Sequence, residues 1–263
     1  MAETVFSSAA DGRHNSGQQS SWAKARGTVS STSSTFSTTV SNYQFAVYNV
    51  KGGSRGSVNY SCVRSYFEFD LSSLSGTATS VDFKVYSDNL GATSTNGSTA
   101  YLVEATALAG DANDFGNVFT SGTTLGASFG SFTISTTLGY HSLTLNSDGL
   151  TAVNNAIGSG TVTVGLVGYY DYNNSTPNTT STTVYNKFHV YYSEYTGDSR
   201  TPKLEITYAS GYGNDIAGID SGDILTVNGI RTINISKVIP YHFIFFKVVS
   251  YVFQMVYGLS TFF

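Results

Sequence analysis

Residues 62–71 constrain the fold more than any other part of the chain, because apolar and polar side chains alternate along them. One face of this segment is mainly apolar and carries Val63, Ser65, Phe67, Phe69 and Leu71. The opposite face is polar and carries Arg64, Tyr66, Glu68 and Asp70. A period of two predicts a β-strand with one buried face and one face in water, on which Arg64, Glu68 and Asp70 form local ion pairs.

Short apolar runs of the same kind recur along the chain and are separated by segments rich in Gly and Asn, as turns require. They predict further strands at 45–50, 81–86, 100–106, 131–135, 140–145, 161–167, 184–192 and 203–208. One short helix is expected after a cap at Ser147 or Asp148, because Leu150, Val153 and Ile157 share a helical face. Many short strands without alternating helices predict an all-β protein, an antiparallel jelly-roll-like β-sandwich with one short helix.

Changes in composition divide the chain into three segments. Residues 1–208 form the predicted sandwich, and residues 209–238 form a tail rich in Gly, Asp and Ile with a degenerate Val-Asn-Gly-type repeat. Residues 239–263 are almost wholly apolar and aromatic, although Lys247 near their middle disfavours a membrane-spanning helix. Three interpretations of this last segment remain open: a membrane anchor, a buried oligomer contact, or the product of a reading-frame slip.

Low charge limits the partners that this chain can have. Only 11% of its residues are charged and its formal net charge is −4, so no basic surface for nucleic acid is expected. A single cysteine, Cys62, rules out an intrachain disulfide framework. The first residues lack the basic and apolar stretches of a signal peptide, which predicts that the protein acts inside the cell or leaves it by another route, such as assembly into a virus particle that lysis frees.

Catalytic and metal-binding patterns are weak in this sequence. The histidines do not have metal-ligand spacing, and the run Asp111, Asn113 and Asp114 fits a solvated turn better than a calcium loop, because Phe115 interrupts the required pattern. We therefore predict that the protein is not an enzyme and has no catalytic residues, metal site or cofactor.

A tyrosine-rich run is the best candidate for ligand binding. It comprises Tyr169, Tyr170, Asp171, Tyr172 and Asn173, followed by Asn174; Tyr191, Tyr192 and Tyr195 lie further along the chain. Tyrosine rings can stack against sugar rings while carboxylate and amide groups form hydrogen bonds with sugar hydroxyls. These residues predict a glycan-binding site, and the alternative interpretation is that the tyrosines pack strand surfaces and subunit contacts.

Four motifs resemble, in order, those of the DNRLRE domains, a family of carbohydrate-binding-module-like β-sandwiches. They are the run Arg64 to Ser72 ending in Phe-Asp-Leu-Ser, the strand Ser80 to Tyr86, the strand Tyr140 to Leu145 before the helix, and the closing run Arg200 to Tyr208. The segment Gly211 to Val238 is similar to C-terminal tails of phage structural proteins. These resemblances imply a jelly-roll-like sandwich found on secreted bacterial proteins and on phage particles.

Two functions follow as hypotheses. The first is a non-catalytic structural or adhesion protein of a virion, such as a capsid fibre, decoration or tail component, acting as a homo-oligomer or with other virion proteins. The second is a carbohydrate-binding module that acts on polysaccharide or surface glycans. We expect the protein in a virion or other extracellular particle, or alternatively in the host cytoplasm before assembly, without a nucleic acid or membrane partner.

Overall fold

The computed structural model describes residues 2–27, 35–37, 44–52, 58–87, 99–133, 137–177, 184–193 and 200–209, together with 226–227 and 230–231. The chain divides into two compact units, Met1–Ala209 and Ser210–Phe263. Of the second unit, the described part is the two-stranded pair β15 (Thr226–Val227) and β16 (Ile230–Arg231). The hydrophobic segment 239–263, with its three interpretations, lies outside the described residues.

The first unit is an antiparallel β-protein. Its strands are β1 (Ala2–Phe6), β2 (Gly12–Asn15), β3 (Thr35–Ser37), β4 (Gln44–Gly52), β5 (Asn59–Asp70), β6 (Ala78–Ser87), β7 (Thr99–Glu104), β8 (Phe119–Ser121), β9 (Thr124–Leu125), β10 (Ser128–Thr133), β11 (Gly139–Thr144), β12 (Thr161–Gly168), β13 (Val184–Val190) and β14 (Lys203–Tyr208). Its helices are α1 (Trp22–Arg26), α2 (Ser147–Ala156), α3 (Tyr169–Tyr172) and a 3-10 helix at Ala112–Gly116.

Two sheets form the layers of a sandwich. The four-stranded sheet has the order β1-β14-β6-β11, and the larger sheet runs β10-β7-β12-β5-β2-β3. The larger sheet curls, because β5 is long enough to pair with two strands along the same edge: Ser65 pairs with Leu166 of β12, and Val63 pairs with Tyr48 of β4. β13 then pairs with β4. The predicted all-β antiparallel sandwich with a short helix is confirmed.

The main core lies between the two sheets. Phe67 and Phe69 of β5 face Phe83 of β6, with ring centroids 5.4 and 6.3 Å from that of Phe83. Leu204 and Ile206 of β14 complete this side, and all five side chains are fully buried. Burying one such side chain contributes about 1.5–3 kcal/mol to the stability of the fold. The alternating apolar residues of β5 therefore stabilise the protein by packing into this core.

The short helix α2 closes one end of the sandwich. Val153 packs into the core and Leu150 packs against it, as the spacing of the apolar residues predicts. The cap is Asn146, one residue before the two candidates, and its side-chain oxygen accepts from the backbone N–H groups of Asp148 and Gly149. Asn is as good a cap as Ser or Asp, so spacing alone could not distinguish the three positions.

The prediction that the second face of β5 lies in water is wrong for its central residues. Arg64 and Tyr66 are fully buried, Glu68 is half-buried, and of the four only Asp70 is exposed. A third layer covers this face, formed by α1, the 3-10 helix and the β8–β9 hairpin, and here Tyr66 packs with Val103, Val118 and Val167. Since the elements of this layer are only two to five residues long, no periodic pattern in the sequence indicates them.

Candidate functional site

The predicted site residues Tyr169–Tyr172 form the one-turn helix α3, which follows β12 directly. Asn173 ends the turn and Asn174 adopts a positive φ of 48°, a conformation that Asn tolerates better than most residues. One turn of helix points successive side chains in different directions. As a result, Tyr170 and Asp171 are buried, Tyr169 and Tyr172 are half-buried, and Asn173 is exposed.

The Asp171 carboxylate is held by Arg64 of β5 in a fork-to-fork contact. Arg64 Nε donates to Asp171 Oδ2 at 2.6 Å and Arg64 NH2 donates to Oδ1 at 2.9 Å. Two further guanidinium donors reach main-chain oxygens, with NH1 2.6 Å from the carbonyl of Phe115 and NH2 2.9 Å from that of Arg26. Such bidentate charge-assisted contacts are among the strongest hydrogen bonds in proteins. Arg64 therefore joins β5, α1, the 3-10 helix and α3.

A second cation, Arg26 at the end of α1, completes what we call the Arg–Asp cluster (Arg26, Arg64 and Asp171). Arg26 Nε lies 3.1 Å from Asp171 Oδ1 and donates to the Asp171 carbonyl at 2.8 Å. Arg26 NH1 donates to the carbonyl of Thr123 at 3.0 Å, in the turn between β8 and β9. The Cys62 thiol also points at the carboxylate, with its sulfur 3.4 Å from Oδ2.

Burial governs the electrostatics of this cluster. Desolvation acts to lower the pKa of both arginines, but for Arg64 the nearby carboxylate outweighs it and the pKa is raised. For Arg26 desolvation wins over the attraction of Asp171, so its pKa is lowered, although arginine stays charged in any case. Burial, followed by the negative charge of Asp171, raises the pKa of the Cys62 thiol well above its usual value. Cys62 is therefore a neutral, weakly donating side chain and not a reactive thiolate.

Aromatic rings surround the two guanidinium groups. Arg64 lies over the rings of Phe115 and Phe119, at 4.1 and 4.5 Å from their centroids, and Arg26 lies 5.1 Å from that of Phe119. Cation–π attraction strengthens as water is excluded. The two positive charges thus share one carboxylate, several carbonyls and two ring faces, which is an arrangement suited to holding chain segments together.

His14 and Tyr66 extend the buried polar region along β2 and β5. The His14 ring contacts Tyr66 and Phe115 edge-on, at centroid distances of 5.6 and 6.2 Å, and the Tyr66 hydroxyl donates to the Phe115 carbonyl at 2.9 Å. Burial lowers the pKa of His14 to about 4, against the opposing attraction of Asp114. Burial also raises the pKa of Tyr66. Both side chains are neutral at pH 7.

Besides the exposed Asn173, two half-buried tyrosines of the predicted site remain at the surface. Tyr172 stacks flat on Tyr101 of β7, with centroids 3.8 Å apart and ring planes within 3° of each other. We call these two residues the tyrosine pair; both are half-buried. Tyr169 packs against the cluster around Trp22, and the Asn173 amide nitrogen donates back to the Tyr169 carbonyl at 2.9 Å. Asp171 and Tyr170 support this surface from beneath and do not line it.

The other tyrosines that the sequence analysis named, further along the chain, also lie in different environments. Tyr192 is buried in the main core, where it stacks on Phe67 and its hydroxyl lies 2.5 Å from that of Ser65. Tyr191 instead packs against Tyr86 on the outer side of the four-stranded sheet. Tyr195 lies outside the described residues.

The acidic turn before β8 uses its carboxylates for local capping. Asp111 and Asp114 form a reciprocal capping box at the 3-10 helix, and Asp114 also accepts from the backbone N–H groups of Ala109 and Gly110. Within the part of the chain that the structure describes, no group of three or more His, Cys, Asp or Glu side chains could hold a metal ion. No helix among the same residues is long and apolar enough to cross a membrane.

Comparison with known proteins leaves the family open. Neither protein-family models nor curated proteins match this chain. The resemblance to DNRLRE domains, and the glycan-binding site predicted from the tyrosine-rich run, therefore stay predictions.

Sequence reasoning missed Arg26 and Tyr101 as partners of the predicted site. One signal for the Arg–Asp cluster was present: Arg64 lies in the run Cys62-Val63-Arg64-Ser65-Tyr66-Phe67, and Asp171 is the one charge among the tyrosines of α3. A lone charge inside an apolar run is rarely buried without a partner of opposite sign, so the two could have been paired with each other.

Proposed function

We propose that the protein is a non-catalytic structural or adhesion component of an oligomeric assembly, of the kind that forms capsid fibres, decorations or tail parts of a virion. The observation that carries this proposal is the Arg–Asp cluster. Its charged groups are buried and directed at one another and at main-chain carbonyls, so they fix the segments that display tyrosines at the surface. Rigid aromatic surfaces of low charge are typical of proteins that work by contact.

The assignment to a virion has one further support, which is the resemblance of residues 211–238 to tails of phage structural proteins. The partners would then be further copies of this chain or other virion proteins. The protein would act in the particle, or in the host cytoplasm before assembly.

Electron microscopy of the purified full-length chain in negative stain tests this proposal. We expect regular particles of uniform size, because a structural component of this kind self-assembles or adds to a preformed particle. A field without particles at micromolar concentration, together with failure to bind purified phage or cell envelopes, would contradict it.

A second candidate is a carbohydrate-binding module, and the tyrosine pair favours it. Tyr172 and Tyr101 are stacked on each other and only half-buried, so part of each side chain stays accessible to a sugar. Asn173 and Asn174 are exposed beside them and can form hydrogen bonds with hydroxyl groups.

Affinity electrophoresis in gels that contain polysaccharide distinguishes this candidate. Tyr172→Ala should abolish retardation if glycan binds at the tyrosine pair. The matched control is Tyr140→Ala, which removes a half-buried tyrosine from the outer side of the other sheet. Equal retardation of wild type and both variants, or no retardation at all, would exclude binding at this site.

A further inference from the structure

The tyrosine pair is stacked in a way that aromatic rings seldom adopt. The ring centroids of Tyr101 and Tyr172 are 3.8 Å apart and the ring planes lie within 3° of each other. This separation equals an ordinary contact between two carbon atoms, about 3.5–4.0 Å, so one ring lies almost directly above the other. Aromatic pairs prefer an offset or edge-on arrangement, because two ring faces are both electron-rich. The fold, and not the attraction between the rings, therefore sets this geometry.

Two connected elements hold the rings in place. Tyr101 lies directly opposite Val167 in the register of β7 with β12, and α3, which carries Tyr172, follows β12 without a linker. The neighbouring Asp171 is buried in the Arg–Asp cluster, which prevents α3 from turning. Both tyrosines also pack on the buried group around Tyr66. The two phenol rings thus face each other before any reaction takes place.

This geometry is the one in which two tyrosyl radicals couple. A tyrosyl radical carries much of its unpaired electron at the ring carbons ortho to the hydroxyl group. The orbital that holds this electron extends above and below the ring plane, so a new carbon–carbon bond starts to form perpendicular to the ring. In the tyrosine pair, that direction leads from one ring straight to the other.

We propose that Tyr101 and Tyr172 are a modification site, at which a one-electron oxidant such as a peroxidase acting with hydrogen peroxide joins them as dityrosine. Each phenol gives one electron to the oxidant and its hydroxyl proton to the solvent. The two radicals form one bond between ortho carbons, and the hydrogen on each of these carbons moves to the phenol oxygen. The protein loses two hydrogen atoms in all, and one hydrogen peroxide is reduced to two molecules of water.

The link connects β7 to α3 and closes the chain between residues 101 and 172 into a loop. A covalent closure of this kind restricts the unfolded chain and so resists unfolding, as a disulfide does. The single cysteine, Cys62, cannot provide an intrachain disulfide. Both tyrosines are half-buried, so an oxidant can reach them from solvent. The inference goes beyond the proposed function and holds for either of the two candidates.

Other tyrosine contacts among the described residues serve as internal controls. Tyr86 meets Tyr140 and Tyr191 with interplanar angles of 85° and 75°, and Tyr169 meets Tyr170 at 87°. In these edge-on contacts, the orbital of one radical points at the rim of the other ring and not at its orbital. Proximity alone would couple all of these tyrosines, whereas face-to-face stacking selects the tyrosine pair.

Oxidation of the full-length chain with a peroxidase and hydrogen peroxide, at low protein concentration, tests this inference. Chains that remain single under denaturing conditions should show the fluorescence of dityrosine and a mass lower by two hydrogen atoms. Trypsin leaves both tyrosines in one peptide, because no Lys or Arg lies between Lys84 and Lys187. Cleavage after Asp and Glu separates them, and mass spectrometry should then find the peptides of Tyr101 and Tyr172 joined.

Conservative variants show whether the link depends on the stacked rings. Tyr172→Phe keeps the ring but removes the hydroxyl from which the radical forms, so the joined peptide should be lost. The matched control is Tyr169→Phe in the same helical turn, which should leave the yield of joined peptide unchanged. Oxidised wild type should need more urea to unfold than the untreated chain, whereas the oxidised Tyr172→Phe variant should not. Circular dichroism verifies that both variants fold.

Three results would each overturn the inference. The first is dityrosine at the edge-on contacts in the same yield as at the tyrosine pair. The second is oxidised chain that carries hydroxylated tyrosines and no link between Tyr101 and Tyr172. The third is dityrosine that joins separate chains only, with a yield that falls as the protein is diluted.

Discussion

Replacing Asp171 by Asn should destabilise the protein more than any other single change in the Arg–Asp cluster. The substitution keeps the size of the side chain but removes the one negative charge that Arg64 and Arg26 share. Of the two acceptor oxygens that Arg64 now uses, one becomes an amide NH2 group facing a guanidinium donor. Two buried cations are then left with carbonyls and ring faces as their partners.

The magnitude follows from the burial of the group. Removing one partner of a buried ion pair costs about 3–5 kcal/mol, and Asp171 should lie at the upper end because its carboxylate serves two cations. Arg64→Met should cost less, roughly 2–3 kcal/mol, because Asp171 keeps Arg26 and the Phe115 carbonyl keeps the Tyr66 hydroxyl. Glu205→Gln breaks a half-exposed pair on the outer sheet face and should cost less than about 1 kcal/mol.

Urea unfolding followed by tryptophan fluorescence measures these differences. Trp22 is the one tryptophan of the chain and is buried in a cluster with Cys62, Phe115 and Tyr170, beside the Arg–Asp cluster. Asp171→Asn should lower the urea midpoint strongly, Arg64→Met less, and Glu205→Gln hardly at all. If Asp171→Asn unfolds within about 1 kcal/mol of wild type, the cluster does not stabilise the fold and this reasoning is refuted.

Three further predictions follow. Phe69→Ala and Tyr66→Ala should each cost about 3–5 kcal/mol in urea unfolding, because the two faces of β5 are both buried; a loss confined to Phe69 would contradict the third layer. The contribution of His14 to the free energy of unfolding should be constant above about pH 6.5 and fall by about 3 kcal/mol towards pH 4, because His14 takes up a proton at a higher pH in the unfolded chain than in the folded one. A His14→Gln variant with the same pH dependence as wild type would exclude His14 as the cause. A fragment of residues 1–208 should fold alone with a β-type circular dichroism spectrum, and an unfolded fragment would place the boundary elsewhere.

Alternation in the sequence predicted most of the sandwich, because the main core consists of period-two faces. The predicted strands agree with β4 to β7 and β10 to β14 to within a few residues, as in β6, whereas no pattern predicted β1, β2, β3, β8 or β9. The same rule fails for the second face of β5. Its Arg64 and Tyr66 look like surface residues until Asp171, more than a hundred positions away, neutralises the charge.

Sequence reasoning could predict only part of the candidate site, for a related reason. Composition indicates that Tyr169 to Asn173 cluster, but it cannot say that a single helical turn sends Asp171 inwards and leaves Tyr172 outside. Nor can it indicate that Tyr101 meets Tyr172, since that contact depends on the pairing of β7 with β12. Contacts between distant segments follow from topology, which local patterns do not encode.

Native mass spectrometry of the full-length chain tests the central claim most directly, because the proposed function requires assembly. We expect a complex whose mass is a multiple of 28.0 kDa and exceeds that of one chain. A single species at 28.0 kDa across the micromolar range, which binds polysaccharide and loses that binding with Tyr172→Ala, would contradict the structural role and make the protein a monomeric carbohydrate-binding module.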